Sequence, residues 1–349
     1  MATDARAFWL VEPGRGEIRP EAVRAPGADE VLVRTLHSGV SRGTETLVFR
    51  GAVPRSQWDA MRAPFQDGDF PAPVKYGYLS VGVVEQGPDA LRGRTVFSLH
   101  PHQTAYVVPA SAVVVVPDGV PPQRAVLAGT VETAVNALWD AAPLLGDHVA
   151  VVGAGMVGCS VARLLGRFPG VECTLVDVDA SRAETARRLG VGFANPATDR
   201  LPLGDCDLVV HASATSAGLQ TALDLLRPEG TVIELSWYGE RTVELSLGGA
   251  FHSKRLGIRA SQVGVVSPAR RSRYSTSQRL ALALDLLRDD AFDALVTGSS
   301  PFEDLPDVLP RLADGSLPAI CHAITYATTD QTSHQTSDQT SDQTTERKA

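Results

Sequence analysis

The decapeptide Val149-Ala150-Val151-Val152-Gly153-Ala154-Gly155-Met156-Val157-Gly158 is the most restrictive stretch of the chain. Its four leading apolar residues suit a strand buried on both faces, and the apolar spacing of Cys159 to Arg167 behind it suits a helix. Between them the glycines follow a G-x-G-x-x-G pattern. Gly153 permits a tight turn, Gly155 lets backbone N–H groups approach a pyrophosphate, and Gly158 lets helix and strand pack closely. The helix N-terminus adds a field that favours negative charge. A second strand pattern, Glu172 to Val176, ends at Asp177, 19 residues past Gly158. An acid at that distance accepts a hydrogen bond from a ribose 2′-hydroxyl, so strand, turn, helix and acid together indicate a dinucleotide where the turn alone would not.

The rest of the chain frames that unit. From Arg6 to Val116 it reads as short β-rich runs: Ala7 to Val11, Glu30 to Leu36, Leu79 to Gln86, Thr95 to Ser98, Tyr106 to Pro109 and Ala112 to Val116. Pro13-Gly14, Pro26-Gly27, Gly87-Pro88 and Pro117-Asp118-Gly119 punctuate them, which predicts a β-rich domain. An irregular insertion, Phe49 to Val74, carries Trp58, Met61, Phe65 and Phe70, and reads either as a substrate-side lid or as a loop packing its own aromatics. Ala125 to Ala142 is a helix, with Leu127, Val131, Val135 and Leu138 at helical spacing.

Past the glycine turn, strands and helices alternate. A helix capped by Ser181 runs through Leu189, Asp207 to His211 is a strand, Ala217 to Leu226 a helix and Thr231 to Leu235 a strand, the pattern of a doubly wound parallel sheet. Thr242 to Leu247 and Leu256 to Ser261 also read as strands. Ser277 to Arg288 is an amphipathic helix, and His322 to Tyr326 a closing strand that returns to the first domain. Repeated Thr-Ser-Asp-Gln units follow, without the apolar residues that offset the entropy of ordering, so a disordered tail is expected. The expected organisation is a β-rich domain of residues 1–123 and 265–326, a dinucleotide-binding domain of 124–264 and a tail of 327–349.

With 349 residues, 44% of them hydrophobic, the chain can build two cores without disulfides. A net charge of −8 argues against a general nucleic-acid or anionic-membrane surface. Cys159, Cys173, Cys206 and Cys321 are widely spaced and form no CxxC pair, so neither a disulfide framework nor a thiolate metal site is expected, and a reducing cytoplasm fits. Met1 to Gly16 lacks the apolar core of a signal peptide, and no run approaches the roughly 20 apolar residues of a membrane span.

Three further segments carry a resemblance. Ser38-Gly39-Val40-Ser41-Arg42-Gly43-Thr44-Glu45, with one extra residue, is similar to the GICGTD segment of the medium-chain dehydrogenase/reductase superfamily, which includes the zinc-type alcohol dehydrogenases. Tyr76-Gly77-Tyr78-Leu79-Ser80-Val81-Gly82-Val83-Val84 resembles its GHE…GxV segment, and Gly129-Thr130-Val131-Glu132-Thr133-Ala134 the turn and helix start beneath the nicotinamide. The resemblance spans about Arg6 to Tyr326. It implies an α/β chain with a β-rich, GroES-like catalytic domain and a doubly wound Rossmann domain, hydride transfer at nicotinamide C4, and a homodimer. The zinc-dependent members hold the catalytic metal by a Cys, a His and a Cys at places that here carry Ser41, Tyr78 and Gly129. The glutamate place of GHE is Leu79, and no cysteine lies between Asp89 and His100, where the structural zinc lobe belongs. No zinc is therefore expected in either site. The SGxSxGTE and GYxSVG segments look most like the zinc-lacking bacteriochlorophyllide hydroxyethyl dehydrogenases.

Without a metal, side chains must take the hydroxyl proton or stabilise a developing alkoxide. Tyr78, at the place of the zinc-bound histidine, is either a phenol donor or a filler of the vacated pocket. Thr44 or Ser41 stands near the family's hydroxyl relay. His100 and His102 are candidate proton shuttles, and Glu132 is either a general base or a carboxylate paired with an arginine. For the cofactor, the resemblance assigns Gly153, Gly155, Gly158 and the N–H groups of Met156 and Val157 to the pyrophosphate, and Asp177 to the adenosine ribose. It places Thr133, His211-Ala212-Ser213 and Leu235-Ser236-Trp237 beside the nicotinamide half. A 2′-phosphate would be repelled by Asp177, so NAD is expected over NADP, with Arg182 close enough to soften that preference. The expected activity is the interconversion of a secondary alcohol and a ketone on a fairly bulky small molecule. A reductase of a conjugated C=C or C=N bond and a non-catalytic dinucleotide-binding protein are the alternatives.

Overall fold

The computed structural model describes residues 3–327, and the low-complexity segment that follows lies outside the described residues. The first half is β-rich. Strands β1 (Thr3–Glu12) and β2 (Arg15–Val23) form a hairpin through Pro13-Gly14, where Gly14 adopts φ 83°. They are followed by β3 (Glu30–Val40), β4 (Asp67–Gly68), β5 (Val74–Lys75), β6 (Ser80–Gln86), β7 (Thr95–Ser98), β8 (Ala105–Pro109) and β9 (Val113–Val115). Helix α1 (Arg42–Phe49) lies between β3 and β4, and α2 (Pro122–Ala125) and α3 (Ala128–Ala141) lead out of this half.

Strands β10 (His148–Val152), β11 (Glu172–Val176), β12 (Gly192–Ala194), β13 (Cys206–His211), β14 (Leu226–Glu234) and β15 (Gly257–Ala260) make one parallel sheet in the order β12-β11-β10-β13-β14-β15. This is the doubly wound arrangement, with α4 (Met156–Leu165), α5 (Arg182–Leu189) and α6 (Ser216–Leu225) as crossovers. Helix α7 (Thr276–Leu286) opens with a full capping box between Ser275 and Gln278. Strand β16 (Val296–Pro301), helix α8 (Leu305–Asp314) and strand β17 (Cys321–Thr325) complete the chain. As expected, β17 returns to the first sheet, antiparallel to β3 with His322 opposite Val40. One apolar cluster joins the two halves: Leu79 and Phe97 from the β-rich sheet, Val131 and Val135 of α3, Val151 of β10 and Leu284 of α7.

Two expectations are corrected. Thr242 to Leu247 forms no strand. Val243 and Leu245 do alternate inward against an apolar cluster, but the N–H groups of Glu244 and Ser246 bond the Ser216 hydroxyl and the Gln220 side chain of α6, so side chains stand where a neighbouring strand would. Ser181 occupies the cap position of α5, yet its hydroxyl donates to Asp179 instead of accepting from the helix. In the insertion the Trp58 indole N–H donates to Val53 O, Arg62 grips Asp69 and Gly68 O, and Phe70 is buried against Tyr76, in line with the reading of a loop that packs its own aromatics, while Phe65 stays partly exposed.

Candidate active site

Helix α1 lies across the C-terminal ends of the parallel strands, the edge at which doubly wound sheets bind ligands. Arg42, in its first turn, faces Asp177 and Asp179 beyond β11 and Arg182 at the start of α5. Further along, Leu47 abuts Gly239 beyond β14; a Cβ on that glycine would stand 2.7 Å from Leu47 Cδ1. Tyr78 and Trp237 pack against the same apolar cluster. Helix α1, with Ser41 at its cap position and Thr44 in its first turn, therefore runs along the Rossmann strand ends.

The three glycines of the turn differ in the way their expected roles require. Gly153, at φ 108°, leaves no room for a side chain, since a Cβ would lie 2.7 Å from Ser213 N. A Cβ on Gly158 would lie 1.8 Å from Gly153 O. A Cβ on Gly155 would meet nothing within 4 Å, so open space lies over it. Met156 and Val157 begin α4, and first-turn N–H groups have no acceptor within their own helix. Asp177 is fixed at the mouth of this cradle: Oδ2 accepts the Ala154 N–H at 2.6 Å and Oδ1 the Asp179 N–H at 2.8 Å. Arg182 pairs with Asp179 at 3.1 Å. The open space over Gly155 and the free first-turn N–H groups of α4 fit the phosphates of a dinucleotide. Arg42 escaped the sequence reading, although it directly follows Ser41 in the first motif.

His211, at the end of β13, is fully buried. Its Nδ1 bonds Glu234 Oε2 at 2.7 Å, and its Nε2 bonds the Ser213 hydroxyl at 2.6 Å. Tyr238 also donates to Glu234, at 3.0 Å. Burial works to raise the Glu234 pKa, but hydrogen bonding and charge from His211, joined by bonds from Ser236, outweigh it and hold the carboxyl below its ordinary value. The Ser236 hydroxyl accepts from the Ala214 N–H. His211 thus braces the two strand-end turns that carry Ala212, Ser213, Ser236 and Trp237. Thr133 spends its hydroxyl on Gly129 O within α3.

At the start of α1 the half-buried Tyr78 donates its hydroxyl to Ser41 Oγ at 2.6 Å. Burial pushes this phenol up to about 12, the nearby Glu45 charge adds to the shift, and hydrogen bonds with Ser41 and Thr44 oppose it. Glu45 Oε1 accepts the Ser41 N–H at 2.7 Å, which fixes the turn that presents Ser41. Glu45 Oε2 accepts from His102 Nε2 at 2.8 Å, His102 Nδ1 meets Ser38 Oγ at 2.6 Å, and Ser38 meets the Tyr326 hydroxyl at 2.9 Å. With both nitrogens engaged and the ring buried, His102 holds Glu45 and Ser38 in place. His100 is held differently. Its ring lies flat on Tyr106 at 3.7 Å, Nδ1–H donates to Pro101 O, and burial pushes its pKa down to about 3, so it stays neutral. Glu132 proves to be the arginine-paired carboxylate: Oε1 accepts from Arg279 Nε at 3.0 Å, while that guanidinium also holds Asn136 and the backbone at Val263 and Val265.

The donor set does not fit zinc. A tetrahedral site needs thiolate, imidazole or carboxylate ligands converging on one point, and the relevant places offer an alcohol, a phenol and a glycine. Glu45 and His102 satisfy each other. Among the described residues no three His, Cys, Asp or Glu side chains cluster to hold a metal.

The architecture is the GroES-like plus Rossmann fold of the medium-chain dehydrogenases. L-idonate 5-dehydrogenase from Escherichia coli K-12 MG1655 superposes with a TM-score of 0.77 at 16% identity, covering 93% of this chain and 99% of that one. An alcohol dehydrogenase from Escherichia coli CFT073, solved with the cofactor NADH, gives 0.72 at 17% identity, covering 93% and 99%. In sequence, the chain is 28% identical over 257 residues to D-guloside 3-dehydrogenase of Shigella flexneri, covering 66% of this chain and 73% of that protein. No family model matches it. These similar proteins are all dehydrogenases, the enzyme class to which the sequence resemblance pointed.

Proposed function

We propose that the protein is a nicotinamide-dependent oxidoreductase that interconverts a secondary alcohol and its ketone on a sugar-sized molecule, preferring NAD(H) and using no catalytic metal. The hydroxyl pair of Tyr78 and Ser41, at the start of α1, carries this reading. When bound, the dinucleotide supplies or accepts hydride at its nicotinamide C4. Gly155 and the first turn of α4 hold the pyrophosphate, Arg42 adds positive charge from α1, and Asp177 takes the ribose hydroxyls. In the reducing direction Tyr78, still protonated at neutral pH, turns its hydroxyl from Ser41 to the substrate carbonyl oxygen and stabilises the charge that develops there, while the Ser41 hydroxyl donates to the phenol oxygen in exchange. Ser41 keeps the phenol aimed, and Glu45 with His102 keeps Ser41 in place. No step passes through a metal, because the residues at the family's zinc position are not zinc ligands.

Asp177 supports NAD over NADP by repulsion of a 2′-phosphate. The similarity to D-guloside 3-dehydrogenase supports a secondary alcohol on a sugar-sized substrate. The outer strand β15, with Ile258 exposed, offers the edge for the homodimer that the resemblance implies. The test is NADH oxidation by the purified protein with ketoses and keto-glycosides against a panel of enones, before and after chelation, alongside elemental analysis. Ketone-dependent turnover that survives chelation and is lost in Tyr78→Phe is expected. Turnover of enones alone, or zinc bound at one per chain and needed for activity, would overturn the reading.

A further inference from the structure

Phe65 stands out within the insertion. It occupies position i+2 of the turn Ala63-Pro64-Phe65-Gln66, closed by the Gln66 N–H on Ala63 O at 3.1 Å. Its φ is 57°, a left-handed value for which glycine or asparagine is the usual occupant. The Gln66 side chain pins the turn from inside by accepting the Ala63 N–H, so the strained conformation is held by its surroundings. The ring is nevertheless 38% exposed, whereas Phe70 of the same insertion is 3% exposed.

What lies behind that ring is a stack. Phe65 lies 5.7 Å from the His100 ring at an interplanar angle of 27°, and His100 lies 3.7 Å from Tyr106 at 6°. Tyr106 is 1% exposed and anchored to Ser80 by its hydroxyl. An outward aromatic face is thus mounted on two buried rings. The segments that carry the two groups pack together, since a Cβ on Gly77, the residue before Tyr78, would lie 3.0 Å from His102 and 3.2 Å from Pro101, the two residues after His100. Charges around the stack are paired internally: Lys75 with Glu21, His102 with Glu45, and Arg62 with Asp69.

We propose that Phe65, backed by His100 and Tyr106, is the platform on which an uncharged cyclic polyol, a pyranoside ring, lays its C–H face beside Tyr78. A pyranoside is polar at its rim and apolar on the face that gathers its axial C–H bonds, and the negative face of an aromatic ring complements that C–H face. The inference rests on the alcohol–ketone reading and narrows its substrate class from sugar-sized molecules to closed rings.

The experiment compares methyl pyranosides with butan-2-ol as substrates of the holoenzyme. Phe65→Ala is expected to raise KM for the pyranoside about tenfold more than for butan-2-ol, mainly in KM and little in kcat, and Phe65→Trp to restore most of the loss. Phe65→Gly, which suits the left-handed turn, separates the platform from folding: it should melt no lower than wild type and still lose the pyranoside preference. Equal shifts for ring and open-chain substrates, or an unchanged pyranoside KM, would overturn the platform. If no alcohol is turned over, saturation-transfer NMR of a methyl pyranoside with the NADH-loaded protein decides separately. Transfer that disappears in Phe65→Ala keeps the platform while the redox reading falls, and no transfer in wild type removes the platform.

Discussion

The phenol of Tyr78 donates to Ser41 Oγ at 2.6 Å, and the Ser41 N–H is in turn anchored on Glu45. This holds a phenol that burial pushes up to about 12 on a rigid mount at the start of α1. Tyr78→Phe keeps the ring and removes the donor. A fall in kcat of about 10²–10³ is expected, the range for loss of one donor to a developing oxyanion, with NADH affinity unchanged. Ser41→Ala should cost less, because Thr44 also reaches the phenol. Steady-state kinetics beside NADH fluorescence titration checks both, and a Tyr78→Phe protein with wild-type kcat removes the phenol from the mechanism.

Gly155 and Gly158 should respond differently to the same change. Gly155→Ala puts a methyl group into open space, so the melting temperature should hold within about 2 °C, a shift smaller than that expected from 1 kcal/mol in a domain of this size. NADH affinity should nevertheless fall at least about tenfold, because that space is the pyrophosphate's. Gly158→Ala drives a methyl group to 1.8 Å from Gly153 O and must part strand from helix, so it should lower the melting temperature as well. Thermal scans with and without NADH distinguish the two; an intact NADH-induced stabilisation in Gly155→Ala would place the dinucleotide elsewhere.

Asp177→Ala should compress the preference for NADH over NADPH rather than abolish binding of both. The carboxylate that repels a 2′-phosphate is removed, while Arg182 and Arg42 remain in place. The ratio of the two kcat/KM values reads this directly, and a ratio that does not move leaves Asp177 as a turn anchor only.

The glycine turn and its flanking strands were legible because their constraints are local. Gly153, Gly158 and Asp177 each follow from a turn, a crossover or a strand end within one βαβ unit. The catalytic half is built from distant pieces. Glu45 meets His102 across 57 residues, Ser38 meets Tyr326 across 288, and Glu132 meets Arg279 across 147. No pattern in the intervening sequence announces such pairs, so both histidines read as candidate shuttles, without sign of the Glu45 and Ser38 bonds that hold one or the ring stack that holds the other. The Thr242 to Leu247 segment misled for a related reason. Its alternation reports one buried face truthfully, but whether a strand or a helix lies alongside is decided by α6.

Glu132 should prove to be a stability residue. Its carboxylate and the Arg279 guanidinium are both buried, and burial raises the acid's pKa even though the arginine pulls it the other way. Glu132→Ala leaves a buried cation without its partner, an arrangement that costs about 3–5 kcal/mol. Denaturant unfolding should show that loss, while kcat per folded molecule stays near wild type. A stable Glu132→Ala protein with a collapsed kcat would restore the acid as the general base.

The stack under Phe65 carries a pH signature of its own. Burial lowers the His100 pKa from 6.5 to about 3, so the folded protein holds this ring neutral at pH values where the unfolded chain protonates it. Above about pH 6.5 both states are neutral and His100 adds no pH dependence. Below that, the unfolded state binds the extra proton, and stability falls by up to about 1.4 kcal/mol per pH unit until the folded pKa is reached. Carboxylates contribute an acid slope of their own, so the informative quantity is the difference from His100→Phe, which keeps a ring on Tyr106 and cannot protonate. Wild type and variant should converge above pH 7 and separate steadily between pH 6 and pH 4, with wild type losing more. Parallel stability curves across that window would mean that His100 is protonated while folded, and the ring behind Phe65 would then be a cation rather than the neutral support that an uncharged sugar requires.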